Sequence, residues 1–239
     1  IEDASYGETV KIKINDNELR TGKIIKIEDD KVIAQVFEGT GGISTDNSSV
    51  KFMGEPLSIP LSKEMLGRTF NGAGEPIDNA YQVLSTVKQN INGRPINPVA
   101  RRYPKNFIQT GISSIDALMT LIRGQKLPIF SGSGMYHNEL AVQIVKQAKI
   151  KGASKDNFAV VFGAMGVRHD DADYFRKSFE SAGVSDHVVM YINTADEPII
   201  ERISTPRCVL TAAEFLAFNN NMHVLVIKCK KFCSSQDAS

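Results

Sequence analysis

Ser131, Gly132, Ser133, Gly134, Met135, Tyr136, His137 and Asn138 form a glycine-bearing loop. A short apolar run (126–130) precedes it and a stretch with helical spacing (138–149) follows. A phosphate-binding loop occupies that context and carries the pattern G-x-x-x-x-G-K-[ST]: its backbone N–H groups cradle phosphate, its lysine reaches the outer phosphates and its hydroxyl meets Mg²⁺. Aligned from Ser131, the fixed positions are Ser131, Tyr136, His137 and Asn138, so all four depart from the pattern. Tyr136 puts a bulky side chain where backbone must approach phosphate closely. A largely neutral His137 lacks the long ammonium arm. The Asn138 amide is a poorer Mg²⁺ ligand than a hydroxyl. What survives is a glycine-rich turn feeding a helix N-terminus, where backbone N–H groups favour anions. The sequence therefore predicts a degenerate phosphate loop over 131–138, with weak or no nucleotide binding, no catalytic residue and no metal ligand. Taken alone, Gly-Ser-Gly also suits an ordinary tight strand-to-helix turn.

Other constellations are weaker. His137-Asn138-Glu139 mimics the H-x-E of zinc deaminases, but Pro206-Arg207-Cys208 is not followed by the second cysteine that chemistry requires. Cys229 and Cys233 have the spacing of half a metal site, but the sequence offers no clear second half, and two incidental cysteines in a tail are the favoured reading. Arg168-His169-Asp170-Asp171 resembles a ligand cluster, yet its acids stand at the start of a helical pattern, where capping accounts for them. Arg123 and Lys126 either face phosphate or a neighbouring subunit, or are solvated charges.

The elements that would hold the loop alternate along the chain. Residues 126–130, 158–162, 188–192 and 223–227 read as strands. Helical patterns fall at 138–149, 170–182 and from Thr205-Pro206 to about 219, the last with proline near its first turn. Four strands with helices between them predict an α/β fold with a parallel sheet. Residues 1–60 differ: 10–14, 23–27 and 31–37 read as short strands separated by turns at 15–17, 29–30 and 39–42, which suggests a small, incomplete β-barrel. Residues 61–100, with Asn71-Gly72-Ala73-Gly74-Glu75-Pro76 and Asn92-Gly93-Arg94-Pro95, read as a linker packed on the next domain. The expected division is thus 1–60, 61–100 and 101–227, with 228–239 a polar tail.

Composition excludes several classes. In 239 residues, 28 Lys and Arg balance 27 Asp and Glu, which argues against a strongly basic nucleic-acid binder. The nearly apolar run at 158–167 is too short to span a membrane. Three cysteines cannot all pair within one molecule, which suits free thiols in a reducing compartment.

The ordered motifs resemble one family, the B subunit of V-type and archaeal-type (V/A) rotary ATPases. They include Gly67-Arg68-Thr69-Phe70-Asn71-Gly72-Ala73-Gly74-Glu75-Pro76-Ile77-Asp78, Arg94-Pro95-Ile96-Asn97-Pro98 and Gln109-Thr110-Gly111-Ile112-Ser113-Ser114-Ile115-Asp116. Others are Arg123-Gly124-Gln125-Lys126-Leu127-Pro128-Ile129-Phe130, Ile200-Glu201-Arg202-Ile203-Ser204-Thr205-Pro206-Arg207 and His223-Val224-Leu225-Val226-Ile227. The resemblance implies an N-terminal barrel, a P-loop-NTPase-like domain and a C-terminal helical domain, the last absent here and the parallel-sheet domain cut short. It implies a non-catalytic B subunit of a proton- or sodium-translocating ATPase or ATP synthase, in a ring of three B and three catalytic A subunits. Central shaft and peripheral stalk subunits are the further partners, and the complex sits at the cytoplasmic face of a membrane. No nucleic acid is involved, and no cofactor is required beyond weak ATP or ADP. Val167 stands where catalytic relatives carry the glutamate that polarises water, so the main electrostatic parts of phosphoryl transfer are missing.

The family's interface arginine lies in a portion beyond this sequence, and Lys228-Cys229-Lys230-Lys231-Phe232-Cys233 departs from the family pattern. Both ends therefore read as cut. The alternatives are a stand-alone nucleotide-binding ATPase, or a passive fragment that self-associates through an open sheet edge.

Overall fold

A computed structural model describes residues 4–14, 18–29, 31–85, 87–93, 97–100, 103, 105–132, 134–150 and 157–230. The turn at 15–17, Asp30, Arg94-Pro95-Ile96, Ser133, residues 151–156 and residues 231–239 with Cys233 lie outside the described residues. The strands and helices in chain order are β1 (Glu8–Ile14), β2 (Glu18–Glu28), β3 (Lys31–Val36), β4 (Ser48–Pro56), β5 (Ser58–Leu61), β6 (Thr69–Phe70), β7 (Val87–Asn90), β8 (Ile108–Gln109), α1 (Ser113–Leu118), α2 (His137–Gln147), β9 (Lys149–Ile150), β10 (Phe158–Val167), α3 (His169–Ser181), β11 (Val188–Thr194), α4 (Ile199–Phe218) and β12 (His223–Lys230).

β1 alternates apolar and polar residues and buries Val10, Ile12 and Ile14. The N-terminal strands form an antiparallel sheet in the order β3-β2-β1-β4 over Val10, Ile12, Ile14, Ile24 and Val36. Among the described residues β3 and β4 do not pair, which leaves the barrel open. Sequence pattern missed β4, because its side chains are largely exposed and no buried face imposes a period. Its ladder to β1 holds it.

The second sheet runs β12-β10-β11-β6, with every pair parallel. The central strand β10 reads as continuously apolar because both of its faces are covered. Val160, Phe162 and Ala164 pack with residues of α2 and α3, where the Phe162 ring lies 4.7 Å from Phe175 and 5.3 Å from Phe179. Ala159 and Val161 pack with Cys208, Val209, Ala212 and Leu216 of α4. The expected α/β class with a barrel-type N-terminal unit is the architecture observed, and no helical domain follows β12 among the described residues.

Three expectations need correction. Residues 126–130 are not a strand, although they precede the loop as expected. The pKa of Lys228 in β12 is lowered by burial first and then by the nearby Lys126 charge, but residues 126–130 form no ladder with that strand. Pro128, lacking an N–H, weakens so short a strand. The fourth strand is instead β6, which joins β11 and stacks Phe70 on Tyr191 with ring centroids 5.3 Å apart. Second, α4 begins at Ile199, so Pro206 lies inside the helix. Apolar burial on both sides of the proline, of Ile200 before it and of Cys208, Val209, Ala212 and Leu216 after it, outweighs its missing N–H. Third, residues 228–230 are not tail but continue β12, opposite Gly163, Ala164 and Met165.

Candidate functional site

The 131–138 loop feeds α2, as expected. The turn has Gly134 at φ +82°, Met135 N–H donates to Gly132 O at 3.4 Å, and His137 N–H donates to Met135 O at 2.9 Å. Ser131, Gly132, Gly134, Met135 and Tyr136 are exposed, Tyr136 to 79%. Tyr136 occupies the cap position of α2 without a side-chain hydrogen bond to the helix. The His137 ring Nδ1 lies 2.8 Å from Met135 O, inside its own turn. Asn138 Nδ2 donates to Asp171 Oδ1 at 2.9 Å, which ties the start of α2 to the start of α3. The side chain at the last fixed position of the loop pattern is thereby paired with a carboxylate of α3.

The C-terminal ends of β10 and β11 are held by a network that sequence reasoning did not single out. Asn193 is fully buried; its Oδ1 accepts from Gly166 N–H at 3.2 Å and from Arg202 Nε at 3.4 Å. Its Nδ2 donates to Glu197 Oε2 at 2.8 Å, and that carboxylate also accepts from Thr194 N–H at 2.7 Å. Arg202 completes the ring by donating to Ala195 O at 3.0 Å. Gly166 adopts φ +64° and lies so close to Arg202 that a Cβ there would sit 2.9 Å from Nε. A side chain cannot enter without moving the guanidinium. The signal in sequence was present: Asn193-Thr194 ends an apolar strand in polar residues. Val167, next to this hub, is buried and apolar, so the β10 exit turn presents no carboxylate at that position. The acids after it stand in the first turn of α3, where the dipole favours them, but no side chain caps the helix, so the expected capping is not what the structure shows. Asp171 takes the Asn138 amide and pairs with Arg168 at 3.6 Å.

A cleft of about 210 Å³ lies elsewhere, between β6, the 77–79 turn and α3, and none of residues 131–138 lines it. Beside it Arg68 makes a two-pronged contact with Asp78, at 2.5 and 3.0 Å. Burial alone would raise the Asp78 carboxyl. The Arg68 hydrogen bonds, those from the Ala80 and Thr69 amides, and the guanidinium charge outweigh it and hold the group below its ordinary value. Among the described residues no group of three His, Cys, Asp or Glu side chains converges as a metal site, and no helix is long and apolar enough to cross a membrane.

This architecture, a barrel-type sheet followed by a parallel-sheet domain with a loop-to-helix phosphate position, agrees with the sequence comparisons. Residues 111–236 match the nucleotide-binding domain of the ATP synthase alpha/beta family, and residues 1–54 match its beta-barrel domain. The chain belongs to the ATP synthase alpha/beta family. Within it, the chain is 60% identical over 228 residues to the V-type ATP synthase beta chain 2 of Clostridium tetani, covering 95% of this chain and 50% of that protein. It is 52% identical over 227 residues to the V-type ATP synthase beta chain of Halothermothrix orenii, covering 95% and 49%. The B subunit of the A-type ATP synthase of Methanopyrus kandleri is 53% identical over 227 residues, covering 95% and 23%. These matches bear out the resemblance to V/A-type B subunits, and the chain spans about half the length of the first two relatives.

Proposed function

We propose that this chain is a portion of the non-catalytic B subunit of a V/A-type proton- or sodium-translocating ATPase or ATP synthase. In that role it contributes the non-catalytic side of interfaces with the A subunit in a hexameric ring and meets the central shaft and peripheral stalk. Its place is the cytoplasmic face of a membrane, which it contacts only through the complex. The observation that carries the reading is the engagement of Asn138 by Asp171 in a loop without a lysine, with Val167 where a water-polarising carboxylate would be needed. Exposed Ile199, Ile203, Leu210 and Phe218 on α4 support an interface rather than a solvated surface. The protein needs no cofactor, and the loop holds ATP or ADP weakly through backbone N–H groups.

The test is a thermal melt of the purified chain followed by circular dichroism, with and without millimolar Mg-ATP. The expected result is a cooperative transition whose midpoint moves by no more than about 2 °C. A ligand present at a hundred times its Kd adds about 2.7 kcal/mol, which moves the midpoint of a domain this size by about 5–11 °C. A shift of that size overturns the weak-binding reading and favours a stand-alone nucleotide-binding protein. A melt without a cooperative transition favours the passive fragment.

A further inference from the structure

Glu201, in the first turn of α4, is 7% exposed, and its Oε2 is buried without a hydrogen-bond partner. It is wedged against the turn at 71–75. That turn is built by Asn71, whose N–H donates to Glu75 O at 2.8 Å and whose Oδ1 accepts the Ala73 and Glu75 amides at 3.0 and 2.8 Å. Gly72 touches the helix so closely that a Cβ would lie 2.7 Å from Glu201 O and 2.8 Å from Glu201 Cβ.

Among the described residues the charged groups that act on the carboxyl share its sign. Glu197 approaches from the β11–α4 connection, Glu38 from the connection after β3, and Glu75 from the turn itself. The adjacent Arg202 turns its guanidinium to Asn193 and Ala195. Against those acids the Gly72 N–H favours the ionised form. Taking a carboxylate out of water among like charges favours its neutral form.

We propose that Glu201 is a proton-binding site that couples pH to how firmly the 71–75 turn is held on α4. With the proton on, the buried carboxyl is neutral and the turn packs without repulsion. With it off, an ionised group is held against Glu197, Glu38 and Glu75, and the contact loosens. Burial first, then the Glu197 charge, push the carboxyl from 4.5 up to about 7. Because the folded value is raised, the stabilisation is complete below the ordinary value near 4.5 and is lost as pH rises through about 7.

The experiment uses the full chain and Glu201→Gln, whose amide mimics the neutral acid. Urea unfolding at pH 6 and pH 8 gives the folded-to-unfolded ratio. For the parent it falls about tenfold more across that window than for Glu201→Gln. Hydrogen exchange at the Asn71 and Gly74 amides, corrected for intrinsic rates, loses protection with rising pH in the parent and keeps it in the variant. The Glu201 carboxyl of the parent, followed by carbon NMR, titrates near neutrality. That measurement stands even where the variant does not fold. A Glu201 midpoint in the ordinary glutamate range overturns the proposal, as does an unchanged pH slope in Glu201→Gln.

Discussion

Gly163 stands in the middle of β10, paired with Tyr191 on one side and Lys228 on the other. A methyl placed there would point at α4, 2.6 Å from Val209 Cγ2 and 3.7 Å from its Cβ and Cγ1. Carbon atoms prefer separations of about 3.5–4.0 Å, so Gly163→Ala requires roughly 1 Å of displacement. Val209 is fully buried and β-branched, with little rotamer freedom to yield, so the helix itself must lift. Gly163→Ala is therefore expected to cost about 1–3 kcal/mol. Val209→Ala loses about 1.6 kcal/mol of transfer energy for two carbons, plus the cavity left behind, for a total near 2–3 kcal/mol. In the double variant the new methyl enters the space that Val209 vacates, so the pair costs less than the sum by at least about 1 kcal/mol. Urea unfolding of the four chains by far-UV circular dichroism measures that coupling. Additivity within about 0.5 kcal/mol would refute the placement of Gly163 against α4.

Two further outcomes follow from titratable groups. Asp78, held below its ordinary value of 3.8, contributes stability that is present above that value and lost as pH falls through the folded one. Asp78→Asn should flatten the acid limb of a stability-versus-pH curve measured by urea unfolding. Cys208 is fully buried, its Sγ faces Gly72 O at 3.6 Å, and burial pushes its thiol up to about 12. Peptide mapping after iodoacetamide treatment should find Cys208 unmodified in the native chain and modified across the urea transition, since the thiolate is the reactive form.

The strands buried on both faces were the most legible elements, because an apolar run such as 158–162 has few other uses. Its true length was not legible: Gly163 and Gly166 look like breakers, yet one accommodates Val209 and the other Arg202. Residues 126–130 misled in the opposite direction, since their composition suits a strand while pairing depends on neighbours far along the chain. Pro206 misled because propensity is local, whereas the burial that extends α4 ahead of it is tertiary. At the candidate site the loop and its missing lysine were plain in sequence. The Asn138–Asp171 contact, spanning 33 positions, and the Asn193 hub needed the fold to bring their partners together.

The pairing of β6 with β11 sets an order of events in synthesis. Thr69 and Phe70 find their partners, Met190 and Tyr191, about 120 residues later. On the ribosome they must wait, with Phe70 unstacked, until the strand that receives them has been made. The N-terminal sheet, whose neighbours lie close in sequence, can close during that wait. Long-range parallel pairing is slow and leaves apolar groups open to wrong contacts. The Arg68–Asp78 clamp, only ten positions apart, can preshape the waiting segment so that it docks as a unit once β11 emerges.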